Sequence, residues 1–202
     1  MITTRLTTID MIKFYTTFFL LSFVATSAQT YLEKHAQCSG ILKGVEIGSD
    51  DFWNKLQQRD NCLIGSQAPD YAVKTIGNEE FDNKSLSGKV VVLNFWSTAC
   101  APCVAEIPFL NSMVSKYKSD NIEFIAVAND APEKLTKFLA SRRFDFKVAS
   151  GDRLLLDTFK LFSAWPTTVI IDAQNNIRYI KLGDLKPDTE KFERTLAELV
   201  KR

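Results

Sequence analysis

Residues 90–103, reading Val90-Val91-Val92-Leu93-Asn94-Phe95-Trp96-Ser97-Thr98-Ala99-Cys100-Ala101-Pro102-Cys103, constrain this chain more than any other stretch. An apolar run long enough for one buried strand leads into two cysteines with two residues between them. Val104-Ala105-Glu106-Ile107 then reads as the start of a helix. Strand, tight turn and helix with Cys-x-x-Cys at the join lift the first sulfur to the end of a strand, within a partner's reach. That sulfur also sits at a helix N-terminus, where unpaired backbone N–H groups and the helix dipole favour thiolate over thiol. Cys103, one turn further in, is close enough to break a mixed disulfide formed at Cys100. The spacing is that of a redox pair. Cys-x-x-Cys is also half of a zinc site. Such a site wants a second close pair, whereas Cys38 and Cys62 are far apart in sequence. His35, the only histidine, adds a His35-x-x-Cys38 pair that fits the usual ligand patterns poorly. No metal and no cofactor is expected. Two unrelated core cysteines are the plainer alternative, and Pro102 inside the hook and the strand directly before it argue against that.

Four motifs carry a family resemblance. Phe95 through Cys103, followed by Glu106-Ile107-Pro108, resembles the thioredoxin superfamily and, within it, the TlpA/ResA-like branch of extracytoplasmic thiol-disulfide oxidoreductases. Gly65-Ser66-Gln67-Ala68-Pro69-Asp70-Tyr71 is similar to that branch's opening Ala-Pro-Asp-aromatic strand, and Leu86-Ser87-Gly88-Lys89 to the turn before its first central strand. Trp165-Pro166-Thr167-Thr168-Val169-Ile170-Ile171-Asp172 is similar to its proline-initiated strand. The likeness runs from about Ile64 to the C-terminus. It implies an α/β protein of thioredoxin-like fold, with a central mixed β-sheet flanked by helices, a βα insertion within 129–157 and an N-terminal extension. The expected domains are a signal peptide over 1–28, an extension over 29–63 and a thioredoxin-like domain over 64–202. The resemblance also implies that Pro166 faces the cysteines after a cis peptide bond, turning the Trp165 backbone outward so that an extended substrate segment can pair with it. Trp165, Pro166 and Thr167 are therefore the candidate substrate-binding residues. The Trp165 side chain either screens the disulfide or simply packs. The implied partners are disulfide-bonded exported proteins or apocytochrome c.

The start of the chain is consistent with export. Lys13 precedes the apolar run Phe14 to Ala25, and small residues Thr26-Ser27-Ala28 follow, which is the pattern of a secretory signal peptide. The run is well short of the ~20 residues a spanning helix needs. Cleavage is expected after Ala28 or Gln29, with an uncleaved anchor as the alternative, and translation starts at Met1 or Met11. The expected location is the periplasm or another extracytoplasmic space. Charges nearly balance, 25 basic against 24 acidic residues, so no nucleic-acid partner is suggested. In the extension, Ser49-Asp50-Asp51 is placed to cap a short helix carrying Phe52, Trp53 and Leu56 on one face. Exported chains with an even cysteine count usually pair them. A Cys38–Cys62 bridge closes a loop of about 25 residues, worth roughly 3.5 kcal/mol in the chain-entropy account. A structural staple is the favoured reading, and a second redox pair relaying electrons to Cys100 is the other.

Beyond the hook, Pro108 falls inside the predicted helix, where it lacks the N–H that would bond Val104. Ile122–Ala128 is the next buried strand, and Pro132–Arg142 a helix with Leu135, Phe138 and Leu139 inward. Phe146-Lys147-Val148 is predicted as a short edge strand and Leu154–Phe162 as a helix. Thr167–Ile171 and Ile177–Lys181 make a hairpin around Ala173-Gln174-Asn175-Asn176. Asp188 is expected to cap a final helix whose Phe192, Leu196, Leu199 and Val200 face the sheet.

Glu106 lies one helical turn after Cys103, so both project on one face. A carboxylate there can take the Cys103 proton when that sulfur attacks a mixed disulfide; otherwise it is a solvated surface residue. Thioredoxin carries a buried aspartate six residues before its first active-site cysteine, and this chain has Asn94. An amide does not relay a proton, so the buried acid is expected at Glu106, as in ResA-like proteins. A thiol peroxidase on this fold would carry Pro-x-x-x-Thr-x-x-Cys, and Leu93 and Ser97 stand at its proline and threonine. A non-catalytic binding module would have no reason to keep both cysteines and the proline strand. Ala101 and Pro102 bring no positive charge into the hook, and a Glu106 carboxylate would oppose thiolate formation. The dithiol should therefore be an electron donor, recharged by a membrane thiol transporter.

Overall fold

A computed structural model of the 202-residue chain describes residues 30–118, 121–151, 153–159, 161 and 164–200. The predicted signal segment and Phe162, the expected end of a helix, lie outside the described residues. Among the described residues no helix is long and apolar enough to cross a membrane.

Every residue of strand β3 (Val90–Trp96) is buried. Val91, Leu93 and Phe95 join one core, and Val90, Val92 and Trp96 the other, so this run, apolar but for Asn94, marks a strand covered on both faces. It pairs in parallel with β4 (Ile122–Ala128) and antiparallel with β6 (Thr167–Ile171). With β5 (Lys147–Ser150) and β7 (Ile177–Leu182) the sheet has the order β5-β4-β3-β6-β7. It is mixed, with β4–β5 parallel and β6–β7 antiparallel. The turn between β6 and β7 is held by Asp172, whose Oδ1 accepts from the Gln174 and Asn176 backbone at 3.0 and 2.8 Å. A small hairpin of β1 (Ala72–Lys74) and β2 (Glu80–Asp82) precedes β3.

One face of the sheet is covered by α3 (Ala101–Lys116), α4 (Pro132–Leu139) and α6 (Thr189–Val200), through Ile107, Leu110, Leu135, Phe138, Phe192 and Leu196. The other is covered by α1 (Tyr31–Ser39), the end of α2 (Asp50–Cys62) and α5 (Arg153–Thr158). Phe159, fully buried, packs edge-on against Tyr31 and Phe95 and tilted against Tyr71. The Tyr31 hydroxyl donates to the Phe159 carbonyl. The extension is therefore part of the core, and the stretch 129–157, with α4, β5 and most of α5, adds an edge strand to the sheet.

Several elements differ from the expectation. Helix α3 begins at Ala101 rather than Val104; Pro102 sits in the first turn, where a missing N–H costs nothing. Ser49 is the N-cap of α2 but its side chain makes no capping bond. Phe52 and Leu56, four apart, are buried against Leu182, whereas Trp53, about 100° further round the helix, is 54% exposed. Helix α4 stops at Leu139, where the Ser141 backbone and hydroxyl both donate to the Phe138 carbonyl and close the last turn. Helix α5 ends at Thr158. Residues 65–71 hold no named strand beyond an isolated bridge from Gln67 to Asn176, and β1 starts after Tyr71. Phe146 precedes β5 and packs on Phe124 and Phe144. Asp188 precedes α6, and its Oδ2 accepts from the Tyr179 hydroxyl at 2.7 Å. Val200, though only half-buried, packs on the same core as Phe192, Leu196 and Leu199, as expected.

Cys38 and Cys62 are joined, linking α1 to the end of α2 across 24 positions. Replacing both by alanine is expected to cost about 3–4 kcal/mol of stability by freeing the unfolded chain. The loss should appear as a lower urea midpoint, while the Cys100–Cys103 bond still forms. An unchanged midpoint would show the bridge to be dispensable.

Candidate active site

The hook begins where β3 leaves the sheet. The Thr98 backbone donates to Asp130 Oδ2 at 2.7 Å and its hydroxyl to Oδ1 at 3.2 Å. Asp130 lies two residues past the end of β4, beside the hook because Trp96 and Ala128 are in register. Lys134 pairs with the same carboxylate at 2.5 Å. Burial works against the charge on Asp130, but Lys134, the Thr98 amide and Ser97 outweigh it and hold the carboxyl below its usual range. Asp130 therefore clamps the loop, a role that only the parallel register of β3 and β4 in the folded chain reveals.

Cys100 is the N-cap of α3, and its sulfur accepts from the Cys103 backbone at 3.3 Å. The two sulfurs are bonded, with Cα atoms 5.3 Å apart. Cys100 is half-buried, whereas Cys103 is 2% exposed. An incoming thiol or disulfide can therefore meet the first sulfur and not the second.

Glu106 is buried behind them, on the face of α3 that carries Cys103 and Ile107. Its Oε1 accepts from Asn94 Nδ2 at 3.1 Å, and its Oε2 from the Leu185 backbone at 3.3 Å. Asn94 Nδ2 also donates to Thr168 Oγ1 at 3.0 Å, across the β3–β6 register. Burial pushes the Glu106 carboxyl up to about 7; the bonds from Asn94 and Leu185 pull it down, and the nearby Asp184 charge adds to the rise.

The peptide bond between Trp165 and Pro166 is cis. Trp165 is half-buried and packs against both cores, including the one holding Cys100 and Cys103. Pro166 is buried, and its carbonyl accepts from the Gly183 backbone at 2.8 Å. Thr167 is fully buried and its hydroxyl donates to the Ala164 carbonyl at 2.7 Å. Its side chain is thus closed to a substrate. Cys38, 1% exposed and bonded to Cys62, sits in the core opposite the hook. Among the described residues no group of three His, Cys, Asp or Glu side chains is arranged to hold a metal ion.

The family model described as AhpC/TSA matches residues 64–180. The thiol-disulfide oxidoreductase ResA of Halalkalibacterium halodurans is 28% identical over 159 residues, 78% of this chain and 88% of that protein. The protein of the same name from Bacillus thuringiensis subsp. konkukian is 30% identical over 156 residues, 75% of this chain and 88% of its own length. Among solved structures, a Chlorobium tepidum protein described as a thiol:disulfide interchange protein DsbE is 27% identical with a TM-score of 0.62; the match covers 68% of this chain and 97% of that one.

The raised Glu106 carboxyl has a consequence for stability. Between the ordinary value of 4.5 and about 7 the folded protein holds a proton that the unfolded chain has released. That contribution is complete below the lower value and is lost as pH rises through the upper one, on the order of 3 kcal/mol in all. Glu106→Gln should therefore flatten the fall in unfolding free energy across this window, measured by urea titration at several pH values. Parallel curves for the two proteins would mean that Glu106 ionises as it does in water.

Proposed function

The chain belongs to the AhpC/TSA family of the thioredoxin superfamily and is a thiol-disulfide oxidoreductase, and from that premise we propose that it reduces disulfides in exported proteins through the Cys100–Cys103 pair. The observation that carries this reading is the asymmetry of the hook, one sulfur half-exposed at a helix N-terminus and the other buried beside a carboxyl of raised proton affinity.

In the proposed cycle the reduced protein presents Cys100 as thiolate, favoured by the amides of the first turn of α3. The thiolate attacks one sulfur of the substrate disulfide, forming a mixed disulfide and releasing the other substrate sulfur as a thiolate that takes up a proton. Cys103 then gives its proton to Glu106 and attacks Cys100, which expels the second substrate thiol and leaves the Cys100–Cys103 disulfide. Two electrons pass to the substrate, so the disulfide must be reduced again by a dithiol donor. A membrane thiol transporter fits that need, and the periplasm or an equivalent compartment fits the apolar Phe14–Ala25 segment read as a signal. Apocytochrome c is the substrate class that the resemblance to ResA-like proteins supports. Trp165 and Pro166 form the bank along which the substrate backbone would lie.

Trapping tests the roles of the sulfurs. Cys103→Ser should accumulate mixed disulfides through Cys100, whereas Cys100→Ser should not; equal trapping by both would overturn the assignment. Equilibration with glutathione tests the direction. Neither Ala101 nor Pro102 adds positive charge, and a carboxylate behind the pair disfavours thiolate, so a potential at or below about −200 mV is expected, far from the roughly −120 mV of a strong periplasmic oxidant.

A further inference from the structure

Between β7 and α6 the chain makes two backbone contacts with the site from neighbouring residues. Gly183, at φ +78°, donates its amide to the Pro166 carbonyl at 2.8 Å, and Leu185 donates its amide to Glu106 Oε2 at 3.3 Å. Leu185 is fully buried, which fixes the depth of the segment. Downstream, Asp188 accepts from the fully buried Tyr179 hydroxyl at 2.7 Å and ties the segment to β7. Asp184, between the two contacts, is half-buried, and its Oδ1 accepts from the Lys186 backbone at 2.9 Å. The turn therefore holds a carboxylate next to the amide that grips Glu106.

We propose that Gly183-Asp184-Leu185 is a positioning strap for the redox site: it joins the Pro166 backbone to the Glu106 carboxyl, and Asp184, next to the amide that binds Glu106, adds a negative charge to the burial that already disfavours ionisation there. This rests on the reading of Glu106 as acceptor for the Cys103 proton. The other groups packed around Glu106 are uncharged or engaged elsewhere. Asn94 of β3 and Thr168 of β6 are uncharged, and α6 brings the apolar Phe192 and Leu196 to the core on that side. Tyr179 of β7 feels the Glu106 charge, but burial and its bond to Asp188 keep its hydroxyl protonated well above the usual range. Asp188 is engaged by that hydroxyl. On α3 itself the neighbour is Cys103, bonded to Cys100 in the oxidised protein. A like charge held nearby disfavours ionisation of Glu106, in the same direction as its burial.

Asp184→Asn isolates the charge, because an amide oxygen still accepts from Lys186 while the negative charge is gone. The Glu106 side-chain carboxyl carbon, followed by 13C NMR in the oxidised full chain, should titrate roughly half a unit lower in Asp184→Asn, the size of an interaction between partly exposed charges. Asp184→Glu should restore it. A merely structural role would lower thermal stability without moving that midpoint, and an unmoved midpoint overturns the proposal. The pH profile for resolution of a mixed disulfide at Cys100, with a small disulfide as substrate, is measured in parallel. If the profile follows the carbon, strap and proton acceptor stand together. If the carbon moves and the profile does not, Asp184 keeps its role and Glu106 is not the acceptor.

Discussion

Asn94 is the one polar side chain on a strand buried from end to end, 1% exposed among valine, leucine, phenylalanine and tryptophan. An amide in that position costs free energy unless its hydrogens are bonded. Both partners lie on other elements, Glu106 on α3 and Thr168 on β6, so one side chain joins the central strand, the helix that begins at the hook and the proline strand. Asparagine and glutamate are a matched pair here. An aspartate at 94 would set two carboxyls in contact in the core, and one would have to keep its proton. With the amide, the single acid is free to change state.

The position of that acid follows from helix geometry. Cys100 caps α3, Cys103 lies one turn inward and Glu106 one turn beyond it, so the period of the helix sets the acid in line with the second sulfur. The two ends of this line have opposite electrostatics. At Cys100 the free amides of the first turn favour negative charge. At Glu106 burial and a neighbouring carboxylate resist it. A charge is therefore easily held at the surface sulfur and poorly held behind the buried one, which separates the two cysteines chemically although they share a turn.

What could be read from the sequence depended on how local each cause is. The mainly apolar segments of β3, β4 and β6 are visible because a strand buried on both faces needs little else, and the spacing of Cys103 and Glu106 is a property of one helix. Trp53 was misplaced because the apolar contacts of α2 with Leu182 take Phe52 and Leu56, a stripe that tertiary packing and not the helix alone defines. The end of α4 is set by a serine bonding back to a carbonyl, a local cause that apolar periodicity does not report. Thr167 looked available beside Pro166, but its hydroxyl is spent on Ala164. The contacts of Gly183 and Leu185 were invisible for a different reason. They come from backbone amides, and an amide leaves no mark on the identity of the residue that carries it.

The extension stabilises the side of the sheet opposite α3, and this bears on the hook. Tyr31 at the start of α1 holds the carbonyl of Phe159, whose ring lies against Phe95, the penultimate residue of β3 before the loop to Cys100. At the far end of α2 a buried ion pair, Arg59 with Asp60 at 2.5 Å, sits two residues before Cys62. Burial raises the Asp60 carboxyl to about 6 and the guanidinium pulls it back down. A pair of this kind adds little net stability when intact, yet losing one partner strands a charge in the core. The Cys38–Cys62 bridge fixes α1 against the end of α2 and so holds both Tyr31 and the ion pair in place. Although distant from Cys100 and Cys103 in sequence, the second disulfide thus reaches the base of the hook through Tyr31, Phe159 and Phe95. By that chain of contacts the Cys38–Cys62 bridge is tied to the end of β3 from which the hook departs.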